Sequence, residues 1–164
     1  MPELLIVLAI VGFLAVIALP ALRDMAAAHT VTLAADRLAV SLALARTTAM
    51  SRRTEVRLGP PRSADTLHGG WQLSRVAGDH GASEPPFSVV ALSERCLRIT
   101  LRGTGGPAGP QSLSLTAVGY SRSERGGFFA ATFQVRCRDA QRQVRLGAQG
   151  RIRICRPGFD VDCD

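Results

Sequence analysis

Apolar residues fill the first 22 positions almost without interruption and then thin into a stripe. From Leu4 to Leu22 the chain runs 19 residues without a charge, with Glu3 at the mouth of the run and Arg23 just past its end. A helix of that length rises about 28 Å, close to the thickness of a bilayer's hydrocarbon core. Residues 1–22 are therefore expected to form a transmembrane helix. Residues 23–54 contain no Gly or Pro and are rich in Ala and Leu. Leu38, Leu42 and Ala45 recur at i, i+4 and i+7, with Ala34, Val31 and Met50 near the same stripe, as an amphipathic helix requires. Arg37, Arg46 and Arg52 fall mostly outside it. The two stretches predict one long helix that Pro20, lacking a backbone donor, interrupts around residue 16.

From Glu55 onward the pattern changes to short alternating runs separated by Gly and Pro clusters. Strands are expected at 55–58, 71–76, 87–92, 96–102, 112–120, 128–138, 143–146 and 151–155, with a polar loop at 77–86 and a glycine-rich turn at 103–110. A long helix followed by antiparallel strands is an α+β arrangement. The expected parts are a transmembrane segment (1–22), an amphipathic continuation (23–54) and a β-rich domain (55–164). With only 5% aromatic residues, its core must be built mainly from Val, Leu, Ile and Ala.

The segment Glu3-Leu-Leu-Ile-Val-Leu-Ala-Ile-Val-Gly-Phe-Leu-Ala, with Pro20 standing 17 residues after Glu3, resembles the N-terminal helix of type IV pilins and type II secretion pseudopilins. A signal peptide would carry basic residues ahead of a shorter apolar run and a small-residue cleavage site; here the flank is acidic and no such site follows. A plain membrane anchor gives no reason for a carboxylate at the bilayer edge, which is expensive there. Members of the family begin with a short basic leader and a cleavage site, both missing here, so Met1-Pro2-Glu3 is similar to a chain starting just inside the mature protein. In the family the Glu meets the N-terminal amine of a neighbouring subunit. The resemblance thus implies that Glu3 sets axial register during assembly, since a buried carboxylate needs a cationic partner. It implies that Pro20 lets the helix bend as the subunit leaves the bilayer. It also implies an inner-membrane protein with a periplasmic C-terminal domain, extracellular once in a pilus, whose partners are other major and minor pilins.

The four cysteines, Cys96, Cys137, Cys155 and Cys163, all lie in the second half. Beyond a bacterial inner membrane they are expected to form disulfides. Three pairings are possible; Cys96–Cys137 joining strands and Cys155–Cys163 closing the C-terminal loop is the favoured one. No C-x-x-C spacing and no neighbouring histidine supports zinc. Asp160-Val-Asp-Cys-Asp164 alternates carboxylates as a calcium loop does, but it lacks the glycine and terminal Glu such loops need. His29, His68 and His80 lie apart, and no Ser or Cys sits in a nucleophile's setting. No metal, cofactor or catalysis is expected.

Charge alters the picture most. The chain has 20 arginines and no lysine against 13 acidic residues, a net charge of +7. Nine arginines lie between residues 122 and 156, against Glu124 and Asp139 alone, so this stretch carries the whole excess. A concentrated arginine patch is the footprint of a polyanion binder. Within it, Gly150-Arg-Ile-Arg-Ile-Cys-Arg156 reads as a strand with Ile152 and Ile154 turned to the core and Arg151 and Arg153 outside, about 6.6 Å apart. Gly147 and Gly150 bracket the hairpin turn before it. Alternating arginines are ordinarily a solvated face. The whole chain, however, resembles minor pilins of the GspH/FimT type. In the FimT branch, which supports natural transformation, a C-terminal Gly-Arg-x-Arg motif contacts DNA. The match at Gly150, Arg151 and Arg153 implies non-specific binding to the phosphate backbone of double-stranded DNA, with Arg136, Arg138, Arg142, Arg145 and Arg156 widening the patch. Two other roles share the same N-terminal helix: a structural minor pilin that primes assembly, and a type II secretion pseudopilin. If Glu3 sets register, Glu3→Ala leaves membrane insertion intact and cuts incorporation into fibres, as measured by the subunit content of sheared pili.

Overall fold

In the computed structural model, residues 2–62, 64–77, 82–103, 112–123 and 127–161 are described. The helix α1 (Pro2–Arg52) precedes all of the strands. Its second half realises the predicted stripe: Ala27, Val31, Ala34, Ala35, Leu38, Leu42, Ala45 and Ala49 are buried. Steps of three and four keep them on one face, and the small alanines let that face lie close against the sheet. Met50 departs from the expectation. It is exposed, and Ala49 takes the inward place, because one residue along a helix is about 100° of rotation.

Helix α1 continues through Pro20. Proline removes one i→i−4 hydrogen bond, and the turns on either side keep the helix unbroken. Among the described residues no helix is long and apolar enough to cross a membrane. Residues 1–22, where a span was expected, include side chains at 1–6, 9, 11, 14, 15 and 17 that lie outside those described.

The strands form two antiparallel sheets. The first contains β1 (Val56–Gly59), β2 (Gly70–Ala77), β3 (Ala82–Ser83), β4 (Ser88–Ala91), β6 (Leu113–Leu115) and β7 (Ser121–Arg122). Its order is β3-β2-β1-β6-β7, with β4 also paired to β2. The second contains β5 (Arg98–Gly103), β8 (Ala131–Cys137), β9 (Ala140–Leu146) and β10 (Ile152–Cys155), in the order β10-β9-β8-β5. Val56, Leu58, Leu73, Leu113 and Leu115 of the first sheet share one core with Ile99, Leu101, Phe133, Val135, Val144 and Leu146 of the second and with the stripe of α1. Helix α1 packs mainly on β9, β8, β10 and β1, which turns the odd-numbered side chains of β5 and β8 and the even-numbered ones of β9 inward.

Several boundaries differ from the sequence expectation for local reasons. The strand expected at 112–120 stops at Leu115. There the chain turns at Gly119, whose φ is +85°, and returns as β7. The strand expected from 128 starts at Ala131, while Phe128 makes an isolated bridge to Arg122. Strand β9 begins at Ala140, because Arg138 takes a left-handed φ of +53° in a two-residue turn that lacks any Gly or Asn signal. The loop expected at 77–86 contains β3, and most of the expected 103–110 turn lies outside the described residues.

Cys96 and Cys137 are joined, with Cα atoms 4.9 Å apart across a sequence separation of 41. The bond ties the entry to β5 to the last residue of β8. Cys155 is also disulfide-bonded; the expected partner, Cys163, lies outside the described residues. His68 accepts a hydrogen bond at Nδ1 from the Ile99 backbone N–H (3.1 Å), a structural use of that side chain. Closing a loop of this length constrains the unfolded chain by about 3–4 kcal/mol. Replacing both Cys96 and Cys137 with Ser is expected to lower the melting temperature by about 10 °C, measured by circular dichroism under non-reducing conditions.

Candidate nucleic-acid interface

Side chains alternate faces along a strand, and with one face of the second sheet committed to α1, the other face is fixed residue by residue. Arg98 and Arg102 of β5, Arg136 of β8, Arg145 of β9 and Arg153 of β10 all turn outward. Thr100, Thr132, Gln134, Gln141 and Gln143 fill the positions between them. None of the four strands contains an Asp or Glu.

Register sharpens the arrangement. Arg98 stands directly opposite Arg136, and Arg145 directly opposite Arg153. One row crosses the whole sheet as Arg102, Thr132, Arg145 and Arg153. Adjacent strands are about 4.8 Å apart, so these guanidinium groups start from neighbouring backbone positions. Like charges directly opposed destabilise a sheet, and this sheet has two such pairs on one face. Arg102 and Arg145 also flank a concavity of about 310 Å³. Arg151 and Arg153 flank a broader one of about 720 Å³ beside the edge strand β10. Asp160 lines that larger concavity, but its carboxylate accepts the Arg156 backbone N–H. Arg145 and Arg153 are additionally held by interactions within the chain.

The residues expected to form one patch divide between two places. Arg136, Arg145, Arg151 and Arg153 are brought together on or beside the outward face. Arg142 and Arg156 are not. Arg142 pairs with Val135 on the helix side, and Arg142 and Arg156 line a cleft with Ala28, Val31 and Thr32 of α1. Arg156 lies 5.0 Å over the ring of Phe159. Arg142 stands three residues before Arg145 on the same strand, and a period of two sends it to the opposite face, while Arg156 follows the last residue of β10. Arg138 is exposed at the β8–β9 turn. Ile154 also departs from expectation: β10 is an edge strand, and its side chain remains 41% exposed, whereas Ile152 packs against the core.

Two members of the interface, Arg98 and Arg102, were not singled out by the sequence reasoning because they lie outside the charged stretch. The expected Cys96–Cys137 bond held the signal. Joining those cysteines in an antiparallel sheet aligns Arg98 with Arg136 to within one residue.

Gly150 has a structural reason of its own. Its φ is +79°, and an added Cβ would lie 2.3 Å from the Gly119 carbonyl oxygen and 2.6 Å from Arg46 Nε. Arg46 reaches across from α1, and its Nη2 donates to the Gln149 carbonyl at 3.3 Å. The expected hairpin closes there, with Gly147 N–H donating to the Arg151 carbonyl and Gly150 N–H to the Gly147 carbonyl, both at 2.8 Å. Helix, first sheet and hairpin therefore meet at the residue immediately before Arg151.

The family described as Type II transport protein GspH matches residues 34–156, which include α1's buried stripe, both sheets and this hairpin. The chain belongs to that family. Its fold is also that of two solved structures. The type IV minor pilin FimU of Pseudomonas aeruginosa PAO1 is 20% identical, with a TM-score of 0.57, covering 77% of this chain and 88% of FimU. The minor pseudopilin EpsH from the type 2 secretion system of Vibrio cholerae is 18% identical, with a TM-score of 0.55, covering 77% of this chain and 97% of EpsH. No curated protein matches the sequence. This GspH-family chain thus shares its fold with a minor pilin and a minor pseudopilin. In it, Gly150→Ala is expected to cost about 2–3 kcal/mol through backbone strain and the clash with Gly119, read as a lower denaturant midpoint at unchanged slope.

Proposed function

We propose that this chain is a minor pilin that captures extracellular double-stranded DNA by its phosphate backbone, for uptake in natural transformation. The observation that carries the proposal is the pairing of arginine with arginine, Arg98 with Arg136 and Arg145 with Arg153, on strands without a carboxylate. A scaffold-only role gives no reason to gather Arg98, Arg102, Arg136, Arg145 and Arg153 on one face, whereas a polyanion laid across that face would meet all of them. Guanidinium groups offer forked donors to phosphate oxygens, and such contacts position a duplex without reading its sequence. The Gly150-Arg151-Ile152-Arg153 segment presents the sheet's outermost arginines at an edge, where a duplex meets the fewest obstacles.

In this reading no catalysis and no cofactor is involved. The N-terminal part of α1 anchors the subunit in the inner membrane, with the sheets in the periplasm, until it joins other major and minor pilins. The competing role is a type II secretion pseudopilin, favoured by the family's description and by the EpsH likeness. That role gives the arginine face no ligand.

The discriminating measurement is fluorescence anisotropy of a labelled random-sequence duplex with the full chain in neutral detergent. Binding is expected to weaken steeply with salt, by about 0.9 log units per log unit of salt for each phosphate engaged. Arg151→Gln with Arg153→Gln is expected to reduce affinity tenfold or more and to make that slope shallower by about two. Arg142→Gln with Arg156→Gln, on the helix side, should change affinity less than about twofold. Absent or salt-insensitive binding at micromolar protein would favour the secretion role.

A further inference from the structure

We infer that Tyr120, Phe128 and Arg122 form a stacking site for unpaired DNA bases beside the phosphate-binding face. The inference rests on the DNA-capture reading and goes further, because a duplex held only by its phosphates would leave these rings unused. Phe128 is 74% exposed and Tyr120 is 40% exposed. The rings meet edge to face, with centroids 5.6 Å apart and planes at 88°. In that arrangement neither ring covers the outer face of the other, so a flat partner can still stack.

The backbone holds both rings in place. The Tyr120 carbonyl accepts from the Thr116 N–H at 2.8 Å, and the Tyr120 N–H donates to Thr116 Oγ1 at 3.2 Å. Phe128 is bridged to Arg122, and the next residue, Phe129, is buried in the core with its N–H bonded to the Ser121 carbonyl. Since Phe129 turns inward, Phe128 is turned out. Thr116, Ala117, Val118, Tyr120, Arg122 and Phe128 line an open concavity of about 360 Å³. Exposed rings held this firmly mark an interaction surface.

Charge decides the occupant. Arg122 stands across the bridge from Phe128 and is exposed. The same loop touches the arginine hairpin, because the Ser121 N–H donates to the Ala148 carbonyl at 3.0 Å and Gly119 abuts Gly150. Aromatic rings interleaved with arginine next to a phosphate-binding surface are how proteins hold single-stranded nucleic acid. Each stacked base there contributes about 1–3 kcal/mol. A frayed or overhanging duplex end could lie with its backbone on the arginine face and its free bases against Tyr120 and Phe128.

The test compares two labelled probes on the full chain in neutral detergent: a blunt random-sequence duplex and a single-stranded oligothymidylate. The variant is Tyr120→Ala with Phe128→Ala, and Phe128→Ala alone, at the more exposed ring, serves should the double variant unfold by circular dichroism. The expected result is a tenfold or greater loss of oligothymidylate affinity, with duplex affinity changed less than about twofold. For the Phe128 variant alone, a threefold or greater selective loss is expected. Equal losses on both probes, or none on oligothymidylate, would overturn the inference while leaving duplex capture standing. Wild-type chain that binds neither probe would overturn both. Unchanged oligothymidylate binding together with loss of the subunit from sheared pili would assign the rings to a protein neighbour instead.

Discussion

The alanine- and leucine-rich stripe of α1 lying on the second sheet is the contact on which the rest of the molecule depends. Val31, Leu38 and Leu42 are almost fully buried against strands from both sheets, and each such side chain contributes about 1.5–3 kcal/mol relative to exposure. That commitment selects one face of β5, β8, β9 and β10 for the interior. Because a strand has a period of two, it simultaneously selects which arginines go outside. Shifting β10 by one residue against β9 would bring Arg151 and Arg153 inward and lose Ile152 from the core, so the same apolar contacts that stabilise the fold also enforce the charged face.

The elements most legible in the sequence were those with a long or regular signal. The helix emerged from its i, i+4, i+7 stripe, and the hairpin at Gly147 and Gly150 from its glycines. The Cys96–Cys137 bond was the favoured pairing of the three open. Legibility failed where tertiary packing overrides local preference. Arg138 occupies a left-handed turn position that no glycine or asparagine announces. Ile154 reads as core by alternation, yet it sits on an edge strand with one flank open. Arg142 and Arg156 look like neighbours of Arg153 along the chain, but strand alternation turns Arg142 to the helix side, and Arg156, past the end of β10, lies over Phe159. Arg98 and Arg102 were missed for the converse reason. They are distant in sequence, and strand pairing alone makes them adjacent to Arg136 and Arg145.

Like charges directly opposed across two strands repel and contribute nothing to the stability of the sheet by themselves. The two pairs occur where no carboxylate is available from the same strands. Arginine rather than lysine at every position matters as well. A guanidinium is less strongly hydrated and binds phosphate through two parallel hydrogen bonds, so dense packing of such groups on a sheet favours a diester backbone over a diffuse ion cloud.

The meeting of Gly119 with Gly150 links the arginine face and the aromatic pair mechanically. One glycine belongs to the β6–β7 turn that carries Tyr120, the other to the hairpin that carries Arg151, and the Arg46 side chain of α1 lies against both. Arg46 Nε is buried there without a hydrogen-bond partner, an arrangement that costs stability and places a third cation behind the hairpin. Because the two turns abut each other and the Arg46 side chain, the spacing between the arginine hairpin and the rings is set by the scaffold. In the proposed binding mode, a strand engaging both would present backbone and unpaired base at one fixed separation. Under that proposal, the geometric demand, more than charge, would distinguish a DNA end from the middle of a duplex.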